Sequence, residues 1–357
     1  MKHRIEKLRQ HLSEADGDAF FSLSPPANQY LSGFSGSTSA IIVTQTEALF
    51  LCDFRYTEQA EEQIKDLAVE EVSGSAPTRL GERLTALGVK TAVFEPQTIT
   101  VAEVNEIGEA CSATLKPDKD LVSALRQVKE PTEIETIREA SALAEGVLVD
   151  LVEELRVGIT EREVAARFEY EFKRRGATGA SFDTIVLFGA RSSLPHGAPG
   201  DARLKTGDVV LIDFGCRCNG YCSDLTRTYA FGTIPGQWFE GAYDLVLTAQ
   251  RIALEAVRAG ISARELDATA RDLIKAAGHG DHFGHGLGHG VGIEIHEAPR
   301  LNRESESILE PGMVITIEPG VYLPGEGGIR IEDLVAVTED GCRMLSETPK
   351  ELKVIET

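Results

Sequence analysis

The sequence predicts an α+β protein in two parts: a smaller α/β domain over residues 1–122, then a larger domain over 123–357 with an internal pseudo-twofold repeat. Three observations carry that prediction. The chain has 357 residues, more than one small core ordinarily organises. Its first third alternates short apolar runs with helical stretches. A segment of the remaining two-thirds occurs twice.

In the first part, DAFFSL, SAIIV and ALFLC have the length and apolar density of strands, whereas TEQAEEQI and PTRLGERLTAL have helical spacing. The charged, proline-containing stretch KPDKDLVSALRQVKEP serves as the connection. Its closing Pro131 suits the first turn of a long helix running to about Arg156.

The repeat aligns Arg156–Glu163 (RVGITERE) with Arg258–Glu265 (RAGISARE), an offset of 102. Each copy implies a helix ending at a glycine, Gly158 or Gly260, and a second helix opened by a capping box, Thr160/Glu163 or Ser262/Glu265. Gly176 and Gly278 continue the match, and GDVVLIDFG (207–215) then aligns with GMVITIEPG (312–320) at an offset of 105. Each half is therefore two helices followed by strands, and duplicated halves packed about a twofold bring equivalent strands to the centre.

That alignment puts Asp213 and Glu318 in equivalent places, each at the end of an apolar strand. A second strand follows each, carrying Asp224 in YCSDLTRTY and Glu332 in GIRIEDLVAV. Strand alternation puts Glu318 on one face with Thr316, and Glu332 on one face with Arg330. Four carboxylates so gathered repel one another unless protons or divalent cations compensate them. The run HGLGHGVGIEIHE adds His285, His289 and His296, with glycines that permit close backbone approach. Its glycines lack the G-x-G-x-x-G spacing, and Gly33–Ser37 does not complete a G-x-S-x-G elbow, so dinucleotide binding and serine catalysis find no support.

Composition narrows the partners. A net charge of −21 opposes nucleic acid and anionic membranes, both of which need a positive face. No apolar run approaches the about 20 residues of a membrane span, and the N-terminus reads as an amphipathic helix, not a signal peptide. Six scattered cysteines are too few for a disulfide scaffold, which points to the cytoplasm. Cys216, Cys218 and Cys222 lie in a strand-turn-strand segment without the second pair a thiolate zinc site requires.

The segments IDFG, CSDLTRT, GHGLGHGVGIEIHEAPR, ITIEPG and GIRIED resemble, in order, the motifs of the pita-bread metallopeptidases. The resemblance covers about residues 126–350, and NQYLSGFSGS resembles the creatinase-type N-terminal domain of the Xaa-Pro aminopeptidase and Xaa-Pro dipeptidase (prolidase) branch. It implies a pita-bread catalytic domain whose metal ligands are Asp213, Asp224, His289, Glu318 and Glu332. It further implies His196 and His296 as active-site histidines that do not bind metal, Glu318 as the proton carrier, and Arg330 as an orienting residue. Arg300, four residues past His296, is placed to read a substrate carboxylate.

The implied function is hydrolysis of Xaa-Pro bonds at the N-terminus of short peptides by a hydroxide bridging two divalent metal ions. Oxygen-rich donors with one imidazole suit Mn²⁺ first, with Co²⁺ or Zn²⁺ as alternatives. A homodimer is the implied assembly. Two other readings stand beside it: a methionine-aminopeptidase-like activity, which the N-terminal domain disfavours, and a non-catalytic interaction protein of the same fold, which the complete ligand set disfavours.

Overall fold

The computed structural model describes all residues, Met1–Thr357, and the chain separates into two compact units, Met1–Arg126 and Gln127–Thr357. In the first unit a six-stranded sheet runs Ala68–Glu71, Ala48–Cys52, Ala40–Thr44, Ala19–Ser22, Thr91–Phe94, Thr114–Pro117 from edge to edge. The three apolar runs read as strands occupy three of these places. Their residues are buried on both faces, Phe20 and Phe21 alike, as in a sheet covered by helices on each side. Glu95, buried beyond the strand Thr91–Phe94, accepts the Val122 and Ser123 amides at 2.9 and 2.8 Å, satisfying free N–H groups of the helix Leu121–Gln127.

The second unit is the duplication. Helices Pro131–Glu153 and Glu161–Arg174 precede the strands Ile185–Phe188, Val209–Phe214 and Leu225–Phe231, which pair antiparallel in that order. Helices Gln237–Ala256 and Ala263–Ala276 precede Gly288–Gly290, Val314–Ile317 and Asp333–Val337, again antiparallel neighbours. Both capping boxes form, Thr160 with Glu163 and Ser262 with Glu265. The second helix of each half buries one stripe at i, i+4, i+8: Val164, Phe168 and Phe172 in the first, Leu266, Ala270 and Ile274 in the second.

The equivalence extends to single hydrogen bonds. The Gly158 amide donates to Leu204 O at 2.8 Å, and the Gly260 amide to Leu309 O at 2.9 Å; Thr160 bridges Arg203 as Ser262 bridges Ile308. That pairing also corrects the expected helix ends. The first helix stops at Glu153 and the third at Ala256, short of Gly158 and Gly260. Both glycines sit at φ of 87° and 82° in the turn beyond, because their amides are already committed to the 204 and 309 straps rather than to a helical carbonyl.

The two sheets meet where Thr226 bridges Glu332, whose amide donates to Thr226 O at 3.2 Å. The cysteine segment is a hairpin, Cys216–Cys218 against Tyr221–Cys222, turning on Asn219 and Gly220 at positive φ. All six cysteines are free. No helix is long and apolar enough to cross a membrane.

Candidate metal centre

Asp213 sits near the end of the strand Val209–Phe214, and Asp224 immediately before Leu225–Phe231. The second half repeats the arrangement: Glu318 follows Val314–Ile317 and Glu332 precedes Asp333–Val337. Strand ends that abut in this way project their acids into one space. Carboxylate oxygens of Asp213, Asp224 and Glu332 lie within 4.8 Å of one another. His289 Nε2 is 3.4 Å from Asp224 Oδ2 and 3.5 Å from Glu318 Oε1, which links the remaining two residues anticipated as ligands to that trio through Asp224.

A hydrogen-bonded frame holds these acids. Thr226 Oγ1 donates to Glu332 Oε2 at 2.7 Å and accepts from Arg330 Nε at 3.1 Å. Arg330 Nη2 donates to Asp213 Oδ2 at 2.6 Å, and Nη1 to Tyr322 Oη at 2.8 Å. The Tyr322 hydroxyl lies 2.8 Å from His285 Nε2. His285 Nδ1 is 2.8 Å from Gly286 O, which only accepts, so Nδ1 carries the proton and Nε2 receives that of Tyr322. Burial pushes the His285 pKa down to about 3, keeping the ring neutral.

Electrostatically the cluster is overcharged. Burial first, and then the neighbouring acids, push Asp224 and Glu332 well above the carboxylate range. Burial lifts Glu318 to about 8, and raises Asp213 despite Arg330. Asp213 Oδ1 is buried with no hydrogen-bond partner. His289 donates Nδ1–H to Gly290 O at 3.0 Å, so the lone pair on Nε2 faces two carboxylates, while burial pushes its pKa down to about 4. A neutral imidazole presenting a lone pair among anions is poorly arranged for a salt bridge and well arranged for a divalent cation. The donor set fits such ions.

Glycine makes the crowding possible. A Cβ on Gly288 would stand 2.1 Å from Thr316 O, and one on Gly290 2.3 Å from Ala298 O. The centre lies in a cavity of about 1060 Å³ also lined by His196, His296, Arg300, Phe182, Ile295 and Asn302. His196, His296 and Arg300 are exposed at its wall, and the His296 ring lies 4.4 Å, edge to face, from that of His289. Sequence reasoning missed three members of the frame. His285 was visible in the glycine-rich run without a task, Tyr322 carried no signal, and Thr226 had only its place in SDLTRT.

Residues 135–339 match the model of metallopeptidase family M24, and residues 4–128 that of the Creatinase/Prolidase N-terminal domain. An Xaa-Pro dipeptidase of Pyrococcus furiosus is 40% identical over 354 residues, spanning 99% of this chain and 100% of its own. The structure of an Xaa-Pro dipeptidase from Bacillus anthracis superposes with a TM-score of 0.96 at 38% identity, covering 99% of each chain. That of an X-Pro aminopeptidase from Thermotoga maritima gives 0.91 at 37%, covering 99% of this chain and 100% of that one. The duplicated second unit is thus the pita-bread catalytic domain expected from the motifs, and the chain belongs to metallopeptidase family M24.

Proposed function

We propose that this chain is a metal-dependent exopeptidase that hydrolyses the Xaa-Pro bond of short peptides, with dipeptides its preferred substrates. The observation that carries the reading is the Nε2 lone pair of a neutral His289 facing Asp224 and Glu318, beside a buried Asp213 Oδ1 that has no hydrogen-bond partner. Asp213, Asp224, His289, Glu318 and Glu332 would hold two divalent ions, Mn²⁺ by the preponderance of hard oxygen donors, with Co²⁺ or Zn²⁺ as alternatives. Bound there, such ions neutralise the acids, polarise a carbonyl and lower the pKa of water.

The chain's own groups do the rest. Glu318 takes the proton of the attacking water on its carboxylate and returns it to the proline nitrogen as the peptide bond breaks. His196 and His296, on the cavity wall, orient the substrate and donate to the oxygen that gains charge. Arg300 pairs with the carboxylate of a two-residue substrate. Arg330 keeps Asp213 in place through its 2.6 Å contact. Six free cysteines support a reducing, cytoplasmic setting.

One observation favours a second reading, an aminopeptidase acting on longer chains: the cavity continues past Arg300 to Asn302, Glu304 and Ser307. A panel of Xaa-Pro dipeptides, Xaa-Pro-Yaa tripeptides and Met-Ala-Ser, each with chelator and with Mn²⁺, decides. Metal-dependent cleavage of the dipeptides is expected; cleavage of Met-Ala-Ser alone would overturn the proline assignment.

A further inference from the structure

His196 is exposed, on the segment between the strands Ile185–Phe188 and Val209–Phe214. An exposed imidazole on a loop is useful only if its backbone is fixed. One buried carboxylate does this from both sides. Glu161 accepts the Phe188 amide on Oε1 at 2.9 Å and the Gly200 amide on Oε2 at 2.8 Å. Arg191 Nε, from within the loop, is 3.0 Å from both oxygens, and its Nη2 donates to Ala198 O at 2.8 Å. The loop's other side meets the metal frame, where the Gly328 amide donates to Ser192 Oγ at 2.8 Å and Arg330 Nη1 to Pro195 O at 3.4 Å.

The duplication supplies an internal control. The residue equivalent to Glu161 is Ala263, yet the second half forms the same capping box and the same strap to its helix start. The scaffold therefore does not require an acid there. Glu161 is fully buried, and burying a carboxylate is unfavourable unless its partners compensate it. All of those partners belong to the loop that carries His196, for which the second half has no counterpart at Ala263.

We propose that Glu161 is a positioning residue that acts through His196, clamping the 188–200 loop so that the imidazole is held at the substrate. The proposal rests on the reading of His196 as a substrate-facing group. A double-mutant cycle of Glu161→Gln and His196→Ala tests it, with kcat and KM on an Xaa-Pro dipeptide, and metal content and melting temperature on every variant. Glutamine puts an N–H donor against one of the loop's amides, so the clamp opens at one side. His196→Ala alone is expected to lower kcat. Glu161→Gln is expected to lower kcat about 10–100-fold, as a misplacement of order 1 Å does, with KM and bound metal little changed. In the His196→Ala background the same change is expected to cost less than about twofold, since coupled residues lose their additivity. Equal losses in both backgrounds, or a wild-type kcat for Glu161→Gln, overturn the proposal alone. A wild-type kcat for His196→Ala overturns the reading of His196 and the proposal with it. Should Glu161→Gln fail to fold, Arg191→Gln, whose side chain is 40% exposed, removes the bridge but leaves both amides on Glu161. It must then show the smaller, His196-dependent loss in the same cycle, and a loss independent of His196 overturns the proposal.

Discussion

Arg330 Nη2 donates to Asp213 Oδ2 at 2.6 Å, and the other oxygen of that carboxylate is buried without a partner. The guanidinium simultaneously serves Thr226 through Nε and Tyr322 through Nη1, so one planar group sets the orientation of Asp213 and, through Thr226, of Glu332. Lysine retains the charge, but its single nitrogen cannot span the three places that Nε, Nη1 and Nη2 occupy. Arg330→Lys is expected to weaken metal binding about 10–100-fold, the range seen when a ligand's supporting contact is removed. Metal content after dialysis against graded Mn²⁺ measures it, and wild-type retention would count against the frame.

The second half anchors its histidine loop by a different acid. Asp267 accepts the Leu287 amide at 3.0 Å and both Nε and Nη2 of Arg271, which also donates to Phe283 O and His285 O. Its place in the first half is taken by Ala165. Asp267→Ala strands the buried Arg271 guanidinium and is expected to destabilise the second unit by about 3–5 kcal/mol. Urea unfolding checks this, and a loss under about 1 kcal/mol would show that the carbonyls alone satisfy Arg271.

Stability of the first unit has a pH dependence centred on Glu95. Burial holds its carboxyl above the ordinary glutamate range, against the pull of the Ser123 and Val122 hydrogen bonds. A group whose pKa rises on folding binds its proton more tightly folded than unfolded. Its contribution is full below the unfolded value and is lost as pH climbs through the folded one. Glu95→Gln keeps an acceptor for the helix amides without the titration. The variant is expected to lose less stability than wild type between mildly acidic and neutral pH, read as melting temperature against pH. Parallel profiles would remove Glu95 as the source.

Arg300 separates the two peptidase readings. Arg300→Ala is expected to lower kcat/KM for Xaa-Pro dipeptides about 10–100-fold through KM, as loss of a charged hydrogen bond of about 1.5–3 kcal/mol implies, and to spare tripeptides. Equal losses on both would make it a general contact rather than a reader of the carboxylate.

What the sequence disclosed depended on range. Asp213 and Glu318 were legible because two aligned nine-residue segments place them without knowledge of the fold, and Asp224 and Glu332 because each stands on the strand that follows. His289, expected to join them as a ligand, lay in a run conspicuous for glycine, and that expectation came from the family resemblance. Tyr322 was invisible, since its task exists only once His285, 37 residues away, and Arg330 close around it. Glu161 was equally hidden: it reads as an ordinary first-turn acid until Gly200, 39 residues on, arrives at its carboxylate. The helix ends at Gly158 and Gly260 were misread for the same reason, because a partner strap took their amides.

The glycines described at the centre have a consequence for how this enzyme could diversify. Where Gly288 and Gly290 meet the carbonyls of Thr316 and Ala298, the wall is main chain on both sides. Main chain is not altered by codon substitution, and a larger residue has no room to enter. Natural drift and directed evolution alike are therefore confined to the lip of the cavity, at side chains such as Phe182, Ile295 and Asn302. Libraries for altered peptide preference belong there, and randomising the glycine run should return mostly dead clones.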